Sequence, residues 1–320
     1  MGEYNSRPNS QAELTNVHDI DMSVVLVCWN NRNYLEPCLM SLFDSNLRCK
    51  FEVVVVDNGS TDGSQQMLEE KFPQVKVIQN KYNVGLALAS NQGITATCGK
   101  YVLLLNNDTI VNGSSLDAFV EFLDTHPDAG AVGGKLLNSD GSFQAGYADF
   151  SSLKEEFLIA AGIGDRLWVG YPSHLDSENV RIVGWLSSAC LLLRRATLEQ
   201  VGLLDERFFI YGDEADLQYR IKKGGWRVYY LPNASTIHYG GRSMNRWRRR
   251  RLVYRGKLLF YKKNYGPIKT TILRLMFFTL GLAKLLVWTV IYFIPGRKES
   301  AKQEMNSNMD VIKLSLNLES

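Results

Sequence analysis

An apolar run, Tyr101-Val102-Leu103-Leu104-Leu105, breaks without transition into Asn106-Asn107-Asp108-Thr109, and this boundary constrains the fold more than any other stretch. A segment that is apolar at every position reads as a strand covered on both faces, because a half-exposed strand alternates. Oxygen groups at the end of such a strand suit a hard cation, although Asn and Asp also end strands by making turns. The same texture recurs in Val24 to Val27 and in Val53 to Val56. Between these runs lie helix-like segments: Tyr34 to Phe43, Gly63 to Phe72 entered through Ser60-Thr61-Asp62, and Leu86 to Thr95 entered after Asn83-Val84-Gly85. Alternating strands and helices predict an α/β fold with a mostly parallel, Rossmann-like sheet flanked by helices. Ligands of such sheets gather at the carboxyl ends of the strands, where Asn30, Asp57 and Asp108 fall.

A helix is expected over Ser115 to Asp124, a strand over Gly130 to Leu137, and a loop-rich insertion from Asn138 to about Val180. A second readable block opens with the strand-like Ile182 to Arg195 and a short helix from Ala196 to Val201. It continues through Phe208-Phe209-Ile210-Tyr211-Gly212-Asp213-Glu214-Ala215-Asp216-Leu217, a carboxylate cluster in an aromatic setting. A helix to Lys223, a Gly224-Gly225 stop and the strand Arg227 to Leu231 lead on to His238. Carboxylates, amides and an imidazole distributed in this way point to a metal-dependent enzyme acting on a phosphorylated donor.

Hydrophobic residues make up 45% of the 320 and charged residues 22%, which excludes a disordered chain. The net charge of +3 hides an asymmetry: Arg246 to Lys263 holds nine Arg and Lys and no acid, leaving the remainder near −6. Such a basic block suits an anionic partner. No recognition motif for nucleic acid accompanies it, so an anionic membrane surface is the expected partner. The five cysteines are odd in number and form no C-x-x-C pair, which fits a reduced, cytoplasmic setting. Residues 1–21 are polar and lack the apolar core of a secretory signal, and are expected to be flexible.

Thr271 to Ile294 is strongly apolar and, as a helix, about 35 Å long, enough to cross a bilayer. Lys284 would then lie near the bilayer centre, at roughly 2.5–3.5 kcal/mol. A helical wheel gathers Thr270, Arg274, Gly281, Lys284, Trp288 and Tyr292 on one side, which predicts a helix lying in the membrane interface. A spanning helix and a buried soluble helix are the alternatives. The expected division is a flexible 1–21, a catalytic domain over 22–265, a basic and apolar membrane-associating segment over 266–296 and a mobile tail over 297–320.

Several of these segments together resemble the inverting nucleotide-sugar glycosyltransferases of family 2, which have the GT-A fold, and within them the rhamnosyltransferase-like branch. The resemblance runs from Met22 to Asn31 through Val54 to Asp62, Asn83-Val84-Gly85, Asn91-Gln92-Gly93, Leu105 to Thr109, Gly184 to Arg195 and Phe208 to His238. It covers about the first 265 residues apart from the N-terminus and the insertion.

The resemblance implies that Asn30, Asp57 and Asn58 receive the donor's base, the Asp57 carboxylate accepting the N–H of uracil or thymine. The local alternative is that Asp-Asn-Gly-Ser only makes a turn and caps a helix. Asn83, Gly85 and Asn91 would shape the loop near the diphosphate, joined by Asn106 and Asn107. Asp108 and His238 would hold Mg²⁺ or Mn²⁺, bridging the phosphates of a dTDP- or UDP-sugar. Amides at 106 and 107 replace the acidic form of this motif, so metal binding should be weak.

Glu214 is the implied general base by alignment, with Asp213 and Asp216 as alternatives, because Asp213-Glu214 transposes the usual order of acids. The structural alternative for Asp216 is to orient Arg220, and acids are favoured at a helix N-terminus in any case. Trp185, Ser187 and Ser188 would form the acceptor-facing wall, with Trp185 as ordinary core the alternative. Processive members carry Gln-x-x-Arg-Trp; Ser243-Met244-Asn245-Arg246-Trp247 lacks the Gln, so one or a few sugars are expected to be added.

The implied function is inverting, non-processive transfer of rhamnose from dTDP-rhamnose to a lipid-linked glycan in polysaccharide biosynthesis, at the cytoplasmic face of a bacterial inner membrane. Other UDP- or dTDP-hexoses, or an inactive nucleotide-sugar-binding scaffold, are the rivals. A nucleotidyltransferase is disfavoured because the first strand lacks a Gly-rich, Lys-containing phosphate loop.

Overall fold

The computed structural model describes residues 20–164, 176–240 and 245–317. Most of the flexible lead-in expected over 1–21 therefore lies outside the described residues, as do Ser243 and Met244. The amino-terminal half runs β1 (Met22–Cys28), α1 (Arg32–Phe43), β2 (Phe51–Asp57), α2 (Ser64–Lys71), β3 (Lys76–Gln79), α3 (Leu86–Thr95), β4 (Tyr101–Asn106), β5 (Thr109–Ile110), α4 (Gly113–Thr125) and β6 (Ala129–Leu137). The insertion contributes β7 (Phe143–Gln144), β8 (Tyr147–Ala148), α5 (Leu153–Ala161) and β9 (Arg181–Ile182). Then come β10 (Trp185–Leu186), β11 (Cys190–Arg194), α6 (Arg195–Val201), α7 (Asp213–Lys223), β12 (Arg227–His238) and the helices α8 (Arg246–Asn264), α9 (Gly266–Ile291) and α10 (Lys298–Ser315).

The principal sheet runs β3-β2-β1-β4-β11-β6-β12-β5, with β7 on β6 and β9 on β12. Its first four strands are parallel, whereas β11 lies antiparallel between β4 and β6, so the sheet is mixed. Successive residues serve opposite faces. Val24, Leu26 and Cys28 pack with α1, α2 and α4, while Val25 and Val27 pack toward α3. The parallel register aligns Cys28 with Asp57 and Val27 with Asn106, so three strands end at one rim. Cys28 and Cys190 are buried and unpaired, and burial pushes both thiols up to about 11, which leaves them unreactive packing groups.

The carboxy-terminal helices depart from expectation in two ways. The tail expected to be mobile is α10, a helix whose Ala301, Glu304, Asn308, Val311, Ile312 and Ser315 recur at helical spacing and are buried. Glu304 accepts from Arg246 at 2.6 Å and Arg250 at 3.0 Å, tying α10 to α8. The polar stripe of α9 also turns inward rather than toward water. Thr270 and Gly281 are buried, Ile312 of α10 packs on Gly281, Arg274 bonds Asn317, and Lys284 Nζ donates to the Ala160 carbonyl at 2.5 Å. The opposite side is apolar and open: Ile268, Leu275, Leu286, Val290 and Phe293 are 63–79% exposed. This α9 helix is the chain's candidate membrane-associating segment, and it is long and apolar enough to cross a bilayer.

Candidate active site

Asp57 closes β2 fully buried. Its Oδ2 accepts from the Ser60 amide at 3.1 Å and from Gln65 Nε2 at 2.6 Å, whereas its Oδ1 has no partner. A buried carboxylate oxygen without a donor is costly, so it marks a place where a ligand N–H is expected. The turn alternative also holds, since Gly59 adopts φ +75°; α2, however, begins at Ser64, with Gly63 at the N-cap position and no side-chain cap from it. Asn30 sits at φ 51° and its Oδ1 accepts from the Thr61 amide at 2.7 Å, fastening the β1 and β2 ends together.

The other asparagines assigned to the donor are engaged within the protein. Asn58 donates to the Gly85 carbonyl at 3.1 Å, and Asn83 accepts from the Gly85 amide at 2.9 Å. Asn91 forms a reciprocal pair with the Leu204 backbone at 2.9 and 3.0 Å. Asn107 donates to the Val27 carbonyl at 2.7 Å and accepts from Asn31. These four shape the cleft through their neighbours. Gly85 is held at φ +94° with Phe209 so close that a Cβ would lie 2.8 Å from its carbonyl oxygen. Only glycine suits both that conformation and that approach.

Asp108 and His238 meet because β5 pairs antiparallel with β12, setting Thr109 opposite His238 while the Asp108 carbonyl accepts from the Tyr239 amide. Gln144, from the insertion, orients the imidazole. Its Nε2 donates to Asn138 Oδ1 and to the His238 carbonyl, both at 2.9 Å, so its Oε1 faces His238 Nδ1 at 2.6 Å as an acceptor. Inferred from this network, a neutral ring carries its proton on Nδ1 and presents the Nε2 lone pair. Nε2 lies 3.3 Å from Asp108 Oδ1 and 3.2 Å from Asn106 Nδ2. A carboxylate oxygen and a ring nitrogen facing each other at that distance are satisfied by a proton on the ring or by a metal ion held by both. Carboxylate, imidazole and amide form a donor set suited to a divalent ion. No group of three or more His, Cys, Asp and Glu that could hold a metal ion gathers among the described residues.

The three acids at the start of α7 separate by environment. Asp213 is 1% exposed, its Oδ1 lacks a partner, and burial, with Glu214 adding, pushes its carboxyl well above the usual range. The same burial disfavours its charged form. Glu214, one residue on, is partly exposed. Asp216 takes the structural alternative and is removed from the catalytic candidates. It is fully buried and accepts from Arg220 at 3.0 Å, Lys263 at 2.7 Å and Asn264 at 2.8 Å, pinning α7 to α8.

A shallow open cleft joins Ser90, Asn106, Ser188 and Asp213, bringing the β4 rim and the acidic loop to one space. Ser187 and Ser188 are partly exposed, in keeping with a wall of that space. Trp185 is 2% exposed within an apolar cluster and takes the core alternative rather than offering a face to a ligand. Gln218 holds this wall in place through reciprocal bonds with the Leu186 backbone at 2.8 and 2.7 Å. Sequence reasoning missed Gln144 and Gln218, whose side chains act across 94 and 32 residues.

Residues 23–202 match the model of glycosyl transferase family 2. The chain belongs to that family. It is 32% identical over 243 residues to N-acetylglucosaminyl-diphospho-decaprenol L-rhamnosyltransferase of Mycobacterium tuberculosis, covering 70% of this chain and 78% of the relative. It is also 27% identical over 265 residues to the O-antigen biosynthesis protein RfbC of Myxococcus xanthus, covering 75% of this chain and 20% of that protein. Among solved structures, the mannosyltransferase PcManGT of Pyrobaculum calidifontis, in complex with GDP-Man and Mn²⁺, superposes with a TM-score of 0.58 at 15% identity, covering 94% and 88% of the two chains. S. aureus TarS (residues 1–349) gives 0.53 at 18% identity, covering 92% and 81%. These neighbours share the GT-A fold with this family 2 glycosyltransferase. Its enzymatic class is glycosyl transfer, and its relatives act in cell-surface polysaccharide synthesis.

Proposed function

We propose that this glycosyltransferase moves L-rhamnose from dTDP-rhamnose to a lipid-linked glycan acceptor, with inversion at the anomeric carbon and with help from Mg²⁺ or Mn²⁺. The observation that carries the metal-assisted reading is the Asp108–His238 pair, an oxygen and a nitrogen acceptor 3.3 Å apart at the strand rim beside the acidic loop. A divalent ion bound there would supply charge stabilisation to the departing diphosphate. The partnerless Asp57 Oδ1 supports a base with an imide N–H, thymine or uracil, since a carboxylate accepts and does not donate. Glu214 takes the proton from the acceptor hydroxyl, and a single displacement inverts the centre. Rhamnose and a lipid-diphosphate acceptor are supported by the 32% identical mycobacterial relative.

Residues 22–265 form the catalytic unit in this reading, and the exposed apolar face of α9 lies on an anionic membrane. Each fully exposed Leu or Phe forgoes about 1.5–3 kcal/mol of burial, which a bilayer would restore. An odd number of cysteines with no C-x-x-C pair supports the cytoplasmic side.

Calorimetry with dTDP-rhamnose, UDP-glucose, UDP-galactose and UDP-N-acetylglucosamine, with and without Mn²⁺, tests the donor. Tight metal-dependent binding of dTDP-rhamnose alone is expected; equal affinity for a UDP-hexose would overturn the rhamnose assignment. NMR of the product's anomeric configuration tests inversion.

A further inference from the structure

Several basic residues of α8 are held by carboxylates. Glu304 holds Arg246 and Arg250, Glu156 holds Lys257, and Asp205 with Asp216 holds Lys263. Arg248, Arg249 and Arg255 are exposed, and no carboxylate partner is found for them among the described residues. Three unneutralised guanidinium groups on one helix repel each other in the absence of an anion.

Their position relative to the acidic loop is specific. On one side of the loop, the Phe209 carbonyl accepts from the Leu86 amide at 2.6 Å, joining it to the Gly85 turn of the donor cleft. On the other side, the Tyr211 carbonyl packs on Gly256 of α8 so tightly that a Cβ there would approach within 2.2 Å. Arg249 lies over the Tyr211 ring, 5.8 Å from its centroid, two residues beyond which the acids begin. The loop carrying Glu214 is thus clasped between the donor turn and the arginines.

We propose that Arg249, with Arg248 next to it in the chain, binds the diphosphate of a lipid-linked acceptor. This rests on the functional reading above and adds the residues that recognise the acceptor's anionic group. A guanidinium whose face covers an aromatic ring keeps its N–H edges available for bidentate bonds to phosphate oxygens. The order of elements also matches the order of parts in such an acceptor. The apolar face of α9 would take the lipid, α8 follows directly before it in the chain, and the acidic loop against α8 meets the sugar hydroxyl.

The test uses the full chain in neutral detergent micelles with two acceptors carrying the same sugar, one on a lipid diphosphate and one on an uncharged alkyl chain. For Arg249→Ala, and more for Arg248→Ala/Arg249→Ala, the preference for the diphosphate acceptor in kcat/KM should fall by about tenfold or more, through acceptor KM. Arg249→Lys should recover part of it, since the charge stays while the fork is lost. Equal losses with both acceptors would overturn the proposal and leave a packing role on Tyr211. A raised donor KM instead would assign the arginines to the nucleotide's diphosphate. Unchanged kinetics with weaker flotation on anionic vesicles would assign them to headgroups, and the proposal would fall. No transfer by the unaltered enzyme to either acceptor would overturn the functional reading itself.

Discussion

Gly256→Ala is a single methyl group placed 2.2 Å from the Tyr211 carbonyl oxygen, where ordinary contact needs about 1 Å more. The oxygen belongs to a loop backbone rather than a flexible side chain, so α8 or the loop must move by about that amount. The loop leads directly into Glu214, and a displacement of ~1 Å at a catalytic group costs about 10²-fold in rate. Stability should respond differently. Overpacking costs typically ~1–3 kcal/mol, while replacing a mid-helix glycine by alanine returns about 1 kcal/mol, so the net loss is roughly 0–2 kcal/mol. The expected signature is a kcat lowered by about one to two orders of magnitude with a thermal midpoint changed by only a few degrees. Gly281→Ala serves as the control, since its new methyl meets the Ile312 side chain at 3.0 Å and the Asn308 carbonyl oxygen only at an ordinary 3.6 Å. Full activity in Gly256→Ala, with an unchanged or raised midpoint, would refute the idea that α8 sets the position of the acidic loop.

Glu214→Gln should lower kcat by about 10²–10⁴-fold while donor affinity, read by calorimetry, is retained; full activity would return the base to another group. Asp213 has a folded-state pKa raised by burial, so its contribution is favourable below the unfolded value near 3.8 and is lost as pH rises toward the folded value. Asp213→Asn should therefore stabilise the protein at neutral pH relative to pH 4, seen in melting curves across that range, and a parallel pH profile in both proteins would contradict it. Gln144→Ala frees the His238 ring and should weaken the Mn²⁺ concentration dependence of activity by about 10–100-fold; an unmoved metal titration would deny Gln144 its orienting role. Leu286→Glu/Phe293→Glu should abolish flotation on anionic vesicles without changing the unfolding midpoint, since both side chains are exposed. Retained flotation would place the membrane contact elsewhere.

The strand ends were readable because backbone burial enforces them: a segment such as Val53 to Val56 must be covered on both faces, and the polar residue that stops it must sit at the rim. Hence Asp57 and Asp108 were located from local texture. The partner of Asp108 was less accessible. His238 was reachable only through resemblance, because the β5–β12 pairing that delivers it spans more than a hundred residues. Gln144 sat in the insertion and Gln218 in a helix read only for its acids, and nothing local marks a side chain whose orienting bonds reach His238 or the Leu186 backbone across the fold.

Among the acids of α7 the sequence offered three candidates of similar chemistry. Depth of burial separates them: Asp213 is sealed away, Asp216 is saturated by Arg220, Lys263 and Asn264, and Glu214 remains partly open. The helical spacing of α10 was present in the residues from Ala301 to Ser315, but its polar composition concealed it, because Glu304 and Asn308 are buried against arginines rather than against apolar groups. Hydrophobic periodicity and turn chemistry act over neighbouring residues, so the order of strands and helices and the family's motifs were fixed in the linear chain. Which polar stripe faced inward, which carboxylate lost its water and which arginines stayed unpaired were decided by tertiary packing, since desolvation and ion pairing depend on what lies across space.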